Sequence, residues 1–165
     1  MRDEEQKAKK SKEEEERDVF AYFLKKLHTS AIDTPDNLKV GGSIESQKPP
    51  HPDILYTIGQ RKTAFELFAA CSPRTMREIS EFKNKGTDAA IIQTSVHTAG
   101  KKLKDKFAIT YVADCPIELL IYANFLIDPD EHVVDELKEI IQSRRTGQFS
   151  RIWFCGDDVY CIYTK

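Results

Sequence analysis

The sequence predicts an α/β fold, a mixed sheet with a central antiparallel hairpin flanked by helices. Three observations carry that expectation. Two short β-rich runs, Asp53–Ile58 (DILYTI) and Lys62–Phe68 (KTAFELF), are joined through Gly59-Gln60. Apolar residues recur at helical spacing over the stretches 18–29, 88–107 and 129–143. Ile117–Phe125 (IELLIYANF) is a nearly continuous apolar run of strand length, as expected where both faces of a strand are covered.

Taken along the chain, residues 1–17 are almost all Lys, Glu, Arg, Asp and Gln, a charged N-terminal extension that reads as a solvated helix or a disordered tail. A single domain is expected over 18–165. Val19, Phe20, Phe23, Leu24 and Leu27 place a helix from Asp18 to about His28–Ser30, ahead of Pro35. Phe20, Tyr22 and Phe23 read as packing residues. Leu38–Glu45 (LKVGGSIE) is a weak strand bent at Gly41-Gly42, and Pro49, Pro50 and Pro52 hold extended backbone up to Asp53. Glycine at the first central position is the mark of a two-residue type II′ turn, so Gly59-Gln60 pairs Ile58 with Arg61, Tyr56 with Thr63 and Asp53 with Glu66. Beyond Cys71, Ser72-Pro73 opens a helix to about Phe82, and a longer one follows over 88–107 with Ile92, Val96, Ala99, Leu103 and Phe107 inward. Asp128-Pro129-Asp130-Glu131 is a helix start, with Asp128 as cap. Arg151–Cys155 and Val159–Tyr163 close the chain as a hairpin.

Composition narrows the class. The chain has 165 residues, 40% of them hydrophobic, which suits one domain with a real core. Its 25 basic and 27 acidic residues leave a net charge of −2, so any nucleic-acid contact must come from local basic patches, such as Lys101-Lys102-Lys104-Lys106 or Arg144-Arg145. No run reaches the roughly 20 apolar residues of a membrane span. The beginning of the sequence has no apolar signal region, and Cys71, Cys115, Cys155 and Cys161 form no close ligand pair, so reduced thiols in a cytoplasmic protein are expected. Phosphate-loop, dinucleotide, nucleophile-elbow and HExxH signatures are absent from the sequence.

The hairpin is where chemistry concentrates. Side chains alternate along a strand, so Asp53, Leu55 and Thr57 share a face with Lys62, Ala64, Glu66 and Phe68. Directly opposed residues have Cβ atoms roughly 4.5–5.5 Å apart, which sets two carboxylates side by side. Taken singly, Asp53 reads as a strand-start residue and Glu66 as an exposed strand residue; their shared register is what singles them out.

The element order, with "PDIL" and "AFELF", resembles the PD-(D/E)xK nuclease superfamily over residues 18 to about 127, especially branches that read PDx…(G/A)xE. The resemblance implies a restriction-endonuclease-like fold and a metal-dependent DNA endonuclease. It implies Mg²⁺ or Mn²⁺ held by Asp53 and Glu66, with Glu45 in the slot of an upstream glutamate. It also implies a lysine two residues after the glutamate, where this chain has Phe68. The basic group would then have moved. Lys62 lies four residues from Glu66, about 13 Å along the strand, too far to serve. Lys101 or Lys102 would serve if the long helix crosses the hairpin, and Lys102 completes the candidate catalytic set with Asp53 and Glu66. His51 precedes the pair and reads as a loop residue, and His97 lines up with Gln93 and Lys101 on one helix flank.

The chemistry fits the residues. Phosphodiester hydrolysis needs an activated water and a counter-charge for phosphate oxygens, and a cation on two carboxylates supplies both. Two other readings stay open: a nuclease-fold module without catalysis that binds nucleic acid or a protein partner, and a phage or mobile-element inhibitor acting through its surface. The oligomeric state has no signal in the sequence.

Overall fold

The computed structural model describes residues 10–70, 100–123 and 130–165. Helix α1 spans Lys12–Thr29 and is followed by a 3-10 turn, Asp36–Leu38. Strands β1 (Ser43–Ser46), β2 (Ile54–Ile58) and β3 (Arg61–Ala69) come next. Helical residues 100–108 form α2. Strand β4 (Ile117–Tyr122), helix α3 (Asp130–Gln142), β5 (Phe149–Cys155) and β6 (Val159–Thr164) complete the described chain. The helix expected over 73–82, the first part of that over 88–107 and the Asp128 cap lie outside the described residues.

The six strands lie in sequence order. Strands β1, β2 and β3 form an antiparallel meander, β3, β4 and β5 run parallel, and β6 returns antiparallel to β5. The sheet is mixed, as the sequence predicts, but the hairpin is not central: the middle of the sheet is the parallel β3–β4–β5 run, and the hairpin lies to one side of it. Helix α1 covers one face, where Phe20, Phe23, Leu24 and Leu27 pack on Ile54, Tyr56, Phe65, Leu67, Leu120 and Trp153. On the other face Leu103 and Phe107 of α2, with Val133, Val134, Leu137 and Ile141 of α3, meet Ala64, Phe68, Leu119, Ile121 and Phe154. With both faces covered, β4 can be apolar on successive residues. Its one acid, Glu118, is buried but satisfied: Trp153 Nε1 donates to it at 2.6 Å, Asn37 Nδ2 at 3.1 Å, and the Arg151 guanidinium stands at 3.3 Å.

The hairpin register follows from its turn. Gly59 has φ +58°, and among the described residues only glycines have positive φ, so Gln60 does not; this is the backbone pattern of a type II′ turn. Ile58 pairs with Arg61, Tyr56 with Thr63 and Ile54 with Phe65, as the sequence predicts.

Several details differ from the sequence reading. Helix α1 starts six residues before Asp18, because Ser11 and Glu14 make a reciprocal capping box, and Glu16 is buried within it. The expected boundary between residues 17 and 18 thus falls inside a helix. The weak strand is shifted to Ser43–Ser46, since Asp36–Leu38 forms the 3-10 turn and Gly41 takes φ +99°. Tyr22 is exposed, with the Lys26 ammonium 5.7 Å from its ring centroid, rather than packed. Strand β5 begins two residues early, at Phe149.

The loop between α3 and β5 is fitted tightly against α2. Gly147 has φ +59°, and a Cβ there would meet the Phe107 carbonyl oxygen at 2.4 Å. Gly147→Ala is expected to cost at least about 2 kcal/mol, combining left-handed backbone strain with displacement of α2. Urea denaturation measures it, and a loss within error would show that the loop yields freely. No helix among the described residues is long and apolar enough to cross a membrane.

Candidate functional site

Asp53 stands one residue ahead of β2 and continues its register. Its carbonyl accepts from Gln47 N at 2.8 Å, so the β1 side of the ladder extends to it. Its side-chain Oδ2 accepts from Leu67 N at 2.9 Å, taking the place of a backbone acceptor where β2 has not yet begun. The carboxylate is thereby tied to the β3 backbone next to Glu66. Continuing the pairing from Ile54–Phe65 sets Asp53 opposite Glu66, on the face shared by Leu55 and Ala64. A slip of one residue would have turned them apart.

Glu66 is 5% exposed, on the face covered by α2. Helix α2 packs Leu103 and Phe107 into the core on this face and brings Lys106, in its last turn, into an ion pair with Glu66 Oε1. Burial first, then the charge of Asp53, raises the Glu66 pKa above the ordinary carboxylate value, and Lys106 opposes the rise. Tyr111, in the connection from α2 to β4, is buried, and its hydroxyl makes no hydrogen bond of ordinary geometry among the described residues. The hydroxyl stands beside the Glu66 carboxylate, close enough that each group shifts the titration of the other. Burial and the Glu66 charge hold the phenol protonated far above its usual range. Gln148 fixes the backbone of Tyr111 from both sides: Tyr111 N donates to its Oε1 at 2.6 Å, and its Nε2 donates to Tyr111 O at 3.1 Å.

From the opposite layer, α1 adds Glu16 and Lys12. Lys12 Nζ lies 3.1 Å from Glu16 Oε1, an i, i+4 pair. Burial, then the Asp53 charge, raises the Glu16 pKa; the hydrogen bond to Glu16 raises that of Lys12, with Asp53 and Glu66 contributing. Three acids, two lysines and a buried phenol therefore share one electrostatic neighbourhood. Among the described residues, no three His, Cys, Asp or Glu side chains converge closely enough to hold a metal together. The adjacent pair Asp53 and Glu66 is what could hold one. Mg²⁺ commonly takes one or two carboxylates and completes its shell with water and substrate oxygens.

The expected site residues separate on this geometry. Asp53 and Glu66 come together. Lys102 does not join them: it is exposed one helical turn before Lys106, which is the lysine that reaches Glu66. Glu45 is exposed on the edge strand opposite Leu55, and the acid that couples to Asp53 is Glu16. Lys62 is exposed at the turn end of β3. His51 Nδ1 lies 2.8 Å from the Val112 carbonyl and ties the proline loop to the segment after Tyr111. His97, Gln93 and Cys71 lie outside the described residues. Glu16 carries a signal in the sequence, an acid four residues before Phe20 and so in line with the apolar stripe. Lys106 stands next to the core residue Phe107, three residues after Leu103, but nothing local distinguishes it from Lys101, Lys102 or Lys104.

The buried acids make stability depend on pH. Because folding raises the pKa of Glu66 and Glu16, their contribution to stability is full below the unfolded carboxylate pKa and is lost as pH rises through the folded values. Melting temperature should therefore fall over that acidic-to-neutral window, and Glu66→Gln should flatten the fall and raise the neutral-pH Tm by a few degrees. An unchanged pH profile in the variant would contradict the assignment. Tyr111→Phe removes a buried hydroxyl that makes no hydrogen bond of ordinary geometry among the described residues, so it should leave Tm unchanged or higher. A loss comparable to breaking a hydrogen bond, about 1 kcal/mol, would show that the hydroxyl is bonded.

No family model matches the chain, and no curated protein or solved structure matches it.

Proposed function

We propose that the protein is a metal-dependent nuclease of the PD-(D/E)xK type, hydrolysing phosphodiester bonds of DNA with Mg²⁺ or Mn²⁺ at Asp53 and Glu66. The observation that carries this reading is the delivery of Lys106 by α2 to a carboxylate pair held in register on one face. It supplies the cation that Phe68, buried in the motif's lysine slot, does not provide. The order helix, three antiparallel strands, helix, parallel strand supports the restriction-endonuclease-like arrangement that the motif implies.

Each side chain has a role in this reading. Asp53 and Glu66 would hold the ion, and their mutual repulsion in a half-enclosed setting favours a cation between them. When bound, the ion supplies Lewis acidity and a water of lowered pKa. Lys106, 26% exposed, is long enough to pivot from Glu66 toward a phosphate oxygen or the attacking water. The Tyr111 hydroxyl stays protonated beside Glu66 and could turn to donate to a phosphate oxygen. Glu16 and Lys12 neutralise each other at the rim and set the local field around Asp53. The test is cleavage of linear, single-stranded and branched DNA with Mg²⁺ or Mn²⁺. Cleavage of at least one form is expected, and none with either ion sinks the proposal.

A second reading is favoured by a specific observation. Lys106 and Lys12 already balance two of the three acids, as lysines would in a module that has given up its metal. Such a module would bind DNA or a protein partner, or act as an inhibitor, without cleaving anything.

A further inference from the structure

A second polar feature lies on the same sheet face, beyond α2. Between the C-terminal end of α3 and strand β6 there is a cleft of about 790 Å³, lined by Lys138, Arg144, Arg145, Gly147 and Tyr163 among others. No aspartate or glutamate side chain lines it. Lys138, Arg144 and Arg145 are exposed, and none of them makes an ion pair with a described residue. A chain of net charge −2 thus places four cationic side chains, Lys138, Arg144, Arg145 and Lys165, around one concavity with no ion pair to a described residue. Paired guanidinium groups suit phosphate, because each presents a planar fork of donors that engages two oxygens at once.

The cleft is joined to the carboxylate pair. Glu66 pairs with Leu119, Leu119 with Ile152 and Ile152 with Tyr163, so Tyr163 lies in the Glu66 row, three strands away. At the usual strand spacing that is about 14 Å, close to four base pairs of duplex at roughly 3.4 Å each. Tyr163 packs against the core cluster on the α2 and α3 side. The last turn of α2 touches both features, Glu66 through Lys106 and the cleft loop through the Phe107 carbonyl beside Gly147.

We propose that this cleft, with Lys138, Arg144 and Arg145, binds the phosphodiester backbone of a duplex nucleic acid a few base pairs from the Asp53–Glu66 pair. The assignment rests on the nucleic-acid reading of that pair, but it concerns binding and not hydrolysis. A duplex fits better than an isolated phosphate because the concavity is far larger than one anion and lies in the same row as Glu66. Phosphate contacts of this kind position a duplex without reading its sequence.

The test is fluorescence anisotropy of a labelled DNA duplex without divalent metal, so that no cleavage intervenes. The full chain is compared with Arg144→Gln/Arg145→Gln and with Lys138→Gln. These are exposed positions, and an unchanged melting temperature verifies the fold. The double variant should bind at least about 10-fold more weakly. Its log affinity against log salt should be shallower by about 2, since each phosphate that a cation no longer neutralises takes roughly 0.9 from the slope. Lys138→Gln should flatten the slope by about half as much. Equal affinity and slope in all three proteins overturns the cleft assignment and leaves the nuclease reading standing. Weakened binding in the variants alongside a wild type that never cleaves DNA upholds the cleft and removes the nuclease. Poly-glutamate competing as strongly as duplex, with the same dependence on Arg144 and Arg145, overturns it in favour of an acidic protein partner. No duplex binding by the wild type overturns it outright.

Discussion

Asp53→Ala and Glu66→Ala should each reduce metal-dependent DNA cleavage by at least about 10³-fold, and the double variant should be no worse than either one. The expectation comes from their geometry as a unit. Asp53 is fixed by Leu67 N, and Glu66 follows from the same register, so an ion that needs both carboxylates would have no equivalent site when one is removed. Residues that act on a single bound group are non-additive, because the first substitution already removes what the second would have contributed. Folding separates this from collapse of the domain. Glu66→Gln should be as inactive as Glu66→Ala while melting higher than wild type, since the buried charge is gone and Lys106 can turn to water. Additive losses, or full cleavage in one single variant, would contradict the shared role.

Lys106→Met should lower turnover by about 10²–10³-fold, the usual cost of losing a preorganised charge at a developing anion. Metal affinity should hold or rise, because the ammonium that competes for Glu66 has been removed. Lys102→Met, one turn earlier and exposed, should stay close to wild type in turnover. The contrast is informative because both lysines share helix, charge and chemistry and differ in whether they reach Glu66. Equal losses in the two variants would point to general electrostatic attraction of the substrate. A loss confined to metal affinity in Lys106→Met would make that lysine a structural counter-ion and favour the module without catalysis.

The hairpin is the most legible part of the fold because its information is local. Gly59 sets the turn, the turn sets the register, and the register puts Asp53 beside Glu66 with no help from the rest of the chain. The apolar stripe of α1 and the buried run of β4 are readable for the same reason, since periodicity alone states which faces are covered. A start at Asp18 for helix α1 weighs the charge of the first residues above the Ser11–Glu14 box, although that box is visible in the sequence. Lys106 is not legible. Four lysines lie within residues 101–106, and only the packing of Leu103 and Phe107 against the sheet decides which of them overhangs Glu66. Tyr111 is hidden for a similar reason, since its position depends on the Gln148 clamp from a loop 37 residues away. The basic cleft joins Lys138 to Arg144 and Arg145 across a helix end and closes against β6, a combination no linear motif expresses.

The most direct test of the central claim is a calorimetric titration of Mn²⁺ into the wild-type chain, with Asp53→Asn and Glu66→Gln alongside. The expected result is a single saturable site in the wild type that disappears in both variants while their folds remain intact. No saturable heat in the wild type, or the same heat in all three proteins, would contradict the assignment of Asp53 and Glu66 as a metal-binding pair.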